Sequence, residues 1–167
     1  MLIPIDTLTQ KGNRPEWLKA PAPVGENYHD LKRLVGDLKL HTVCESAACP
    51  NIGECWNHRT ATFMILGNVC TRRCGFCNVR KGVPLEVDMD EPRRIAEAVE
   101  ALQLRFAVVT SVNRDDRKDG GAEHFAMVIR AIRERVPACK VEVLVPDFQG
   151  RHASMDLVLD AGPDILN

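Results

Sequence analysis

The chain has 167 residues, a formal net charge of −1 and 45% hydrophobic residues, enough for one domain with a real core. A balance this close to neutral removes the electrostatic basis for nucleic-acid binding, which calls for a basic domain. No apolar run approaches the ~20 residues that cross a bilayer. The N-terminus, Met1-Leu2-Ile3-Pro4-Ile5-Asp6, is too short and acidic for a secretion signal, so a cytoplasmic location is expected (mitochondrial or plastid if the source is eukaryotic).

Residues 1–30 are rich in Pro, Gly and polar side chains. Within them RPEWLKA (14–20) reads as an ordered patch, with Trp17 anchoring an extended arm to the body. Residues 28–40 place Leu31, Leu34, Val35 and Leu38 at helical spacing, a short amphipathic helix. A cysteine-rich loop follows, turned by Pro50 and Gly53. From residue 61 the pattern becomes regular. Strands are predicted over 61–66, 106–110, 141–145 and 164–166, with three helices between them. The first helix opens near Asp90-Glu91-Pro92 and carries Ile95, Val99 and Leu102 on its apolar face. The second follows Gly120-Gly121, shows Phe125, Val128, Ile129 and Ile132, and stops at Pro137. Arg133 and Arg135 sit near its negative end. The third covers about 152–160 and ends at Gly162-Pro163, a C-cap signal.

Strand–helix alternation with apolar strands implies a parallel α/β sheet. A closed eight-stranded barrel takes ~250 residues, so this chain can build about four parallel strands, a partial barrel. The expected division is an N-terminal extension, residues 1–58, and a half-barrel, residues 59–167. Parallel α/β folds bind ligands at the carboxyl ends of their strands. Cys70 lies just past the first strand, Thr110 to Asp116 past the second, and Pro146-Asp147-Phe148 past the third, so all should share one rim.

Seven cysteines without a secretion signal point to metal rather than disulfides. Six fall into two triplets. Cys70, Cys74 and Cys77 have C-x3-C-x2-C spacing directly after an apolar strand. Three thiolates can face one cubane iron–sulfur core and leave its fourth corner open, and an open metal position is where chemistry happens. Cys44, Cys49 and Cys55 form the other triplet. Zinc is the rival, but structural zinc takes four ligands, usually in paired C-x2-C knuckles, and neither triplet has that form. One zinc site of four with two spare cysteines is the rival metal arrangement, and a non-catalytic iron–sulfur or zinc-binding fragment is the alternative function. Cys139 matches no motif and reads as a buried thiol. The histidines show no ligand pairing, and His41, near Cys44, reads as a surface residue.

The triplet after the strand is similar to that of the radical S-adenosylmethionine (SAM) enzymes. Several stretches together resemble the lipoyl synthase family: RPEWLK (14–19), TVCESAACPNIGECW (42–56), TATFMILGNVCTRRCGFCNV (60–79), TSVNRDDRKDGGAEHFA (110–126) and EVLVPDFQG (142–150). The resemblance implies a radical SAM partial barrel and two [4Fe-4S] clusters. The cluster on Cys70, Cys74 and Cys77 would bind SAM and split it to methionine and a 5′-deoxyadenosyl radical. That radical would take hydrogen from C6 and C8 of an octanoyl chain. The cluster on Cys44, Cys49 and Cys55 would be the auxiliary one, consumed as sulfur donor. Implied partners are octanoylated lipoyl carrier domains (2-oxoacid dehydrogenase E2 subunits, the glycine cleavage H protein) and an electron donor such as ferredoxin or flavodoxin.

Two readings stand for each lesser candidate. Phe76 flanks the adenine of SAM or packs within its loop. Thr110 and Ser111 touch SAM or cap backbone. Arg114, Asp115 and Asp116 form an acid–base cluster on the rim or a surface ion-pair network. Asn113 stands where the family pattern has Asp. Family members continue through the rest of the barrel to an Arg-Ser-Ser-Tyr motif whose serine ligates the auxiliary cluster, and nothing here corresponds to it. The expectation is therefore a truncated reading frame, an N-terminal fragment or one half of a split enzyme, unable alone to complete sulfur insertion.

Overall fold

The computed structural model describes residues 22–167. The patch at 14–20 and its anchor Trp17 lie outside the described residues. Helix α1 (Glu26–Asp37) buries Tyr28, Leu31 and Val35, the stripe that the leucine spacing predicts. The chain leaves the helix at Leu38 and turns through Lys39, whose φ is 50°. The first cysteine triplet is not a bare loop, contrary to expectation. Cys44 lies in α2 (Val43–Ser46) and Cys55 in α3 (Ile52–Asn57), with Cys49 between them. Such short helices have no room to show a hydrophobic period.

Residue 53 has to be glycine where α3 passes the incoming chain. A Cβ there would lie 2.8 Å from the Pro23 Cα and 2.9 Å from the Ala22 carbonyl. The Tyr28 and Trp56 rings pack 5.3 Å apart between α1 and α3. Leu31, Val35, Leu40 and Trp56 belong to the same apolar cluster as the strand residues Phe63 and Ile65. An antiparallel bridge from Thr42 to Phe63 ties the extension to the sheet.

Strands β1 (Thr62–Ile65), β4 (Phe106–Ser111), β5 (Lys140–Leu144) and β6 (Ile165–Leu166) form one sheet in that order, all parallel. Helices α4 (Glu91–Ala101), α5 (Ala122–Arg135) and α6 (His152–Asp160) make the crossovers. The α/β class and the parallel sheet are as expected, and the sheet is open. Phe63, Val109 and Val143 face one another in register and are fully buried. On the alternate rows Val108 and Glu142 are half-buried and Leu144 is exposed. Cys139 is buried, as its isolation in sequence suggests, and burial pushes its thiol up. A second, two-residue parallel ladder, β2 (Val69–Cys70) with β3 (Arg80–Lys81), was not foreseen. It is too short to carry an alternating pattern.

Candidate functional site

The turn after β1 positions everything that follows. Leu66 and Gly67 both take left-handed conformations, φ 67° and 89°. Three buried side chains from three other segments hold the turn. The Leu66 N–H donates to Glu91 Oε2 at 2.9 Å, the same oxygen that lies 2.7 Å from His124 Nε2. The Leu66 carbonyl accepts from Arg114 Nη1 at 3.4 Å. Gly121, at the N-terminus of α5 with φ 93°, leaves the space Leu66 fills. A Cβ there would meet Leu66 Cδ1 at 2.3 Å. Arg114 is only 4% exposed and its charge is met by Asp116 at 2.8 Å, which holds that carboxyl below its usual range.

From this turn the chain enters β2, loops through the cysteines and returns in β3. Cys70 and Lys81 pair in register, and the Gly82 N–H donates to the Cys70 carbonyl at 3.0 Å. Cys70, Cys74 and Cys77 line one cavity of about 120 Å³, with Phe76, Lys81, Ser111 and Asn113 around it. The Asn113 backbone N–H donates to Cys70 Sγ at 3.3 Å, the kind of bond that tunes a metal-bound thiolate.

A larger cavity, about 570 Å³ between α4 and α5, contains none of the cysteines. It is lined by Met89, Ala96, Met127, Ala131 and flanking charges. Size alone favours it as the ligand site, but it holds no thiol, and the candidate cluster donors line the smaller one. Among the described residues no three Cys, His, Asp or Glu side chains converge closely enough to grip a single ion. Thiols spread around a cavity suit a cluster of several irons, one for each sulfur.

The cysteine loop is tied to two strand ends. Arg72 forks onto Asp115 (Nε to Oδ2 and Nη2 to Oδ1, both 2.7 Å) and onto Asp147 (Nη1 to Oδ2 and Nη2 to Oδ1, both 2.8 Å). The two carboxylates raise the Arg72 pKa, and Arg72 in return lowers both theirs, Asp147 to about 2. Thr71 Oγ1 accepts from the Asp115 N–H and lies 3.0 Å from both Asn113 O and Asp115 Oδ2, of which its one proton serves one at a time. Asp115 and Asp147 thus share the rim expected for them. Arg114, Asp115 and Asp116 do not form one cluster, because Arg114 and Asp116 face the Leu66 turn while Asp115 faces the cysteine loop.

The other triplet gathers as well. Thr42 caps α2, its Oγ1 accepting from the Glu45 N–H at 3.3 Å. The Cys49 N–H donates to the Cys44 carbonyl at 3.0 Å. Burial first, then the nearby Cys44 and Cys49, push the Cys55 thiol up, which puts Cys55 within electrostatic reach of both.

Phe76 is 96% exposed, which overturns the loop-packing reading. Thr110 Oγ1 donates to the Leu144 carbonyl at 2.9 Å and takes the backbone-capping part. Ser111 Oγ is buried, lines the cysteine cavity and has no partner among the described residues. Sequence reasoning missed Arg72, Thr42, Glu91 and His124. Only Thr42 had a local signal, since T-x-x-E before a cysteine helix is a capping box.

Residues 6–49 match the family model described as the N-terminal domain of lipoyl synthase of the radical SAM family, and residues 64–167 match that of the Radical SAM superfamily. The chain is 65% identical over 167 residues to a lipoyl synthase of Koribacter versatilis, covering 99% of this chain and 55% of that protein. It is 60% identical to one of Chloroflexus aggregans (98% and 54%) and 51% identical to one of Chromobacterium violaceum (99% and 52%). The chain spans about half the length of the curated relatives it matches. With a three-cysteine loop beyond the first strand of a parallel α/β sheet, and a superfamily match running from that strand onward, the chain belongs to the radical SAM superfamily and aligns with the N-terminal half of lipoyl synthases.

Proposed function

We propose that the chain supplies the SAM-binding and sulfur-donating parts of a lipoyl synthase, which inserts two sulfur atoms at C6 and C8 of a protein-bound octanoyl group. Superfamily membership implies a [4Fe-4S] cluster and SAM. When bound, they supply the hydrogen abstraction that unactivated C–H bonds require and no side-chain base can provide. Cys70, Cys74 and Cys77 would hold that cluster, with the Asn113 N–H on the Cys70 sulfur. Ser111 offers a hydroxyl and Phe76 an uncovered ring to SAM. Cys44, Cys49 and Cys55 would hold a second, auxiliary [4Fe-4S] cluster as the sulfur source. The octanoyl group would arrive on a lysine of a lipoyl carrier domain, with ferredoxin or flavodoxin as reductant, in the cytoplasm. Among the described residues no helix is long and apolar enough to cross a membrane.

The observation that carries this reading is the set of three thiols around one cavity, with the buried, unpartnered Ser111 hydroxyl at the end of β4. Anaerobic reconstitution followed by iron and sulfide analysis tests it. Two cubane clusters give about eight irons per chain with matching sulfide, and SAM should then alter the electron paramagnetic resonance (EPR) spectrum of the reduced protein. About four irons would withdraw the auxiliary cluster, and zinc without sulfide would discard the enzymatic reading. The 167-residue chain is expected to cleave SAM without completing sulfur insertion, because none of its residues corresponds to the family's cluster-ligating serine. Lipoyl product detected by mass spectrometry on an octanoylated carrier domain would refute that.

A further inference from the structure

We propose that Arg72 is a positioning residue, a clamp that docks the cysteine loop onto the ends of β4 and β5 and so sets where the cluster ligands Cys70 and Cys74 stand. The inference rests on the reading of Cys70, Cys74 and Cys77 as cluster ligands. Arg72 lies between two of them in sequence, and its fork reaches residues 43 and 75 positions away. Every nitrogen of its guanidinium is already committed to a carboxylate oxygen. Four of its five N–H donors are spent in this way, leaving one Nη1 hydrogen, so its main role is to hold the loop. Its neighbour Arg73 makes no ion pair among the described residues, so the two adjacent arginines are not equivalent.

The physical need for a clamp follows from ligand count. A three-thiolate site has one covalent tether fewer than a closed site, so the loop's order has to come from its surroundings. A bidentate guanidinium supplies direction as well as charge, which a lysine cannot. The clamp is braced in turn. Gln149 Nε2 donates to Asp115 Oδ1 at 3.0 Å, the Gln149 N–H donates to Asp147 Oδ1 at 2.9 Å, and Thr71 bonds Asp115 from the cysteine loop itself. The charge of Arg72 itself is matched by the two carboxylates it binds, so its contribution at the loop is direction rather than free positive charge.

The test uses the whole 167-residue chain as Arg72→Gln, Arg72→Lys, Asp147→Asn and the double variant Arg72→Gln/Asp147→Asn, each reconstituted anaerobically. Two quantities are read: the rate at which a ferrous chelator strips iron, and the SAM-dependent change in the EPR spectrum of the reduced cluster. Thermal unfolding is followed alongside. Asp147 is well exposed, its side chain at 63%, so Asp147→Asn keeps the fold even if an Arg72 variant does not. The expected result is iron loss about tenfold faster in Arg72→Gln, the lower end of what outer-shell partners contribute, with a weakened SAM response. Arg72→Lys should recover only part of it. Asp147→Asn should lose less, and should cost nothing further on top of Arg72→Gln. Arg72→Gln with unchanged iron loss and an unchanged SAM response would overturn the clamp, as would full additivity of the two substitutions. A chain without substitutions that shows no SAM-responsive cluster would overturn the underlying ligand reading, and the clamp with it.

Discussion

Glu91 illustrates how one buried carboxylate organises the site without touching it. It is 4% exposed, and one oxygen receives both the Leu66 N–H and His124 Nε2. Removing a buried hydrogen-bond partner strands the groups it served, which costs about 1–3 kcal/mol for a buried polar group left unpaired. Glu91→Ala should lose stability of that order in denaturant titration, and Glu91→Gln, which keeps an acceptor, clearly less. Asp147 gives a pH signature instead. Its folded pKa is depressed from 3.8 to about 2, first by the Arg72 hydrogen bonds. A depressed carboxylate stabilises the fold fully above its unfolded value and loses that contribution as pH falls through the folded one. Unfolding midpoints measured from pH 6 to pH 2 should therefore decline between about pH 4 and pH 2, and Asp147→Asn should flatten part of that slope. Asp115, lowered in the same direction by the same arginine, accounts for some of the remainder.

At the scale of elements, the periodic helices and strands were legible and the shortest were not. α6 runs over His152–Asp160, where the pattern places it, and β4 only extends one residue further, through Ser111. Long amphipathic segments announce themselves because burial repeats with the period of the backbone. α2 has four residues, VCES, and is held by its cap and its neighbour in space. Thr42 is fully buried, bridges to Phe63 and caps the helix that presents Cys44. Thr42→Ala should cost about 1 kcal/mol, the usual loss of an N-cap. If Cys44, Cys49 and Cys55 hold the proposed second cluster, it should also lower iron retention there more than at Cys70, Cys74 and Cys77, as read by iron analysis against the SAM-dependent EPR signal. The cysteine loop is a similar case, since its ladder of two residues a side carries no alternation to read.

For the whole molecule, β6 is hydrogen-bonded on one side only among the described residues, and Ile165 and Leu166 are 42% and 36% exposed. Leu157 and Leu159 of α6 are exposed as well. An apolar strand edge is a template for pairing. The chain should self-associate in sedimentation experiments at micromolar concentration, and Ile165→Lys should shift it toward monomer. The sequence by itself determined the α/β class, the alternation of the four sheet strands with the three longer helices, and the two cysteine triplets, because those depend on local periodicity and short spacing. Only the tertiary structure decided that the Ser111 hydroxyl is buried at the cysteine cavity while Thr110 is spent on the sheet. It alone joined Arg72 to Asp147 and Glu91 to His124. Those pairings are separated by 75 and 33 residues, and no local preference encodes a contact that exists only once three strands lie side by side.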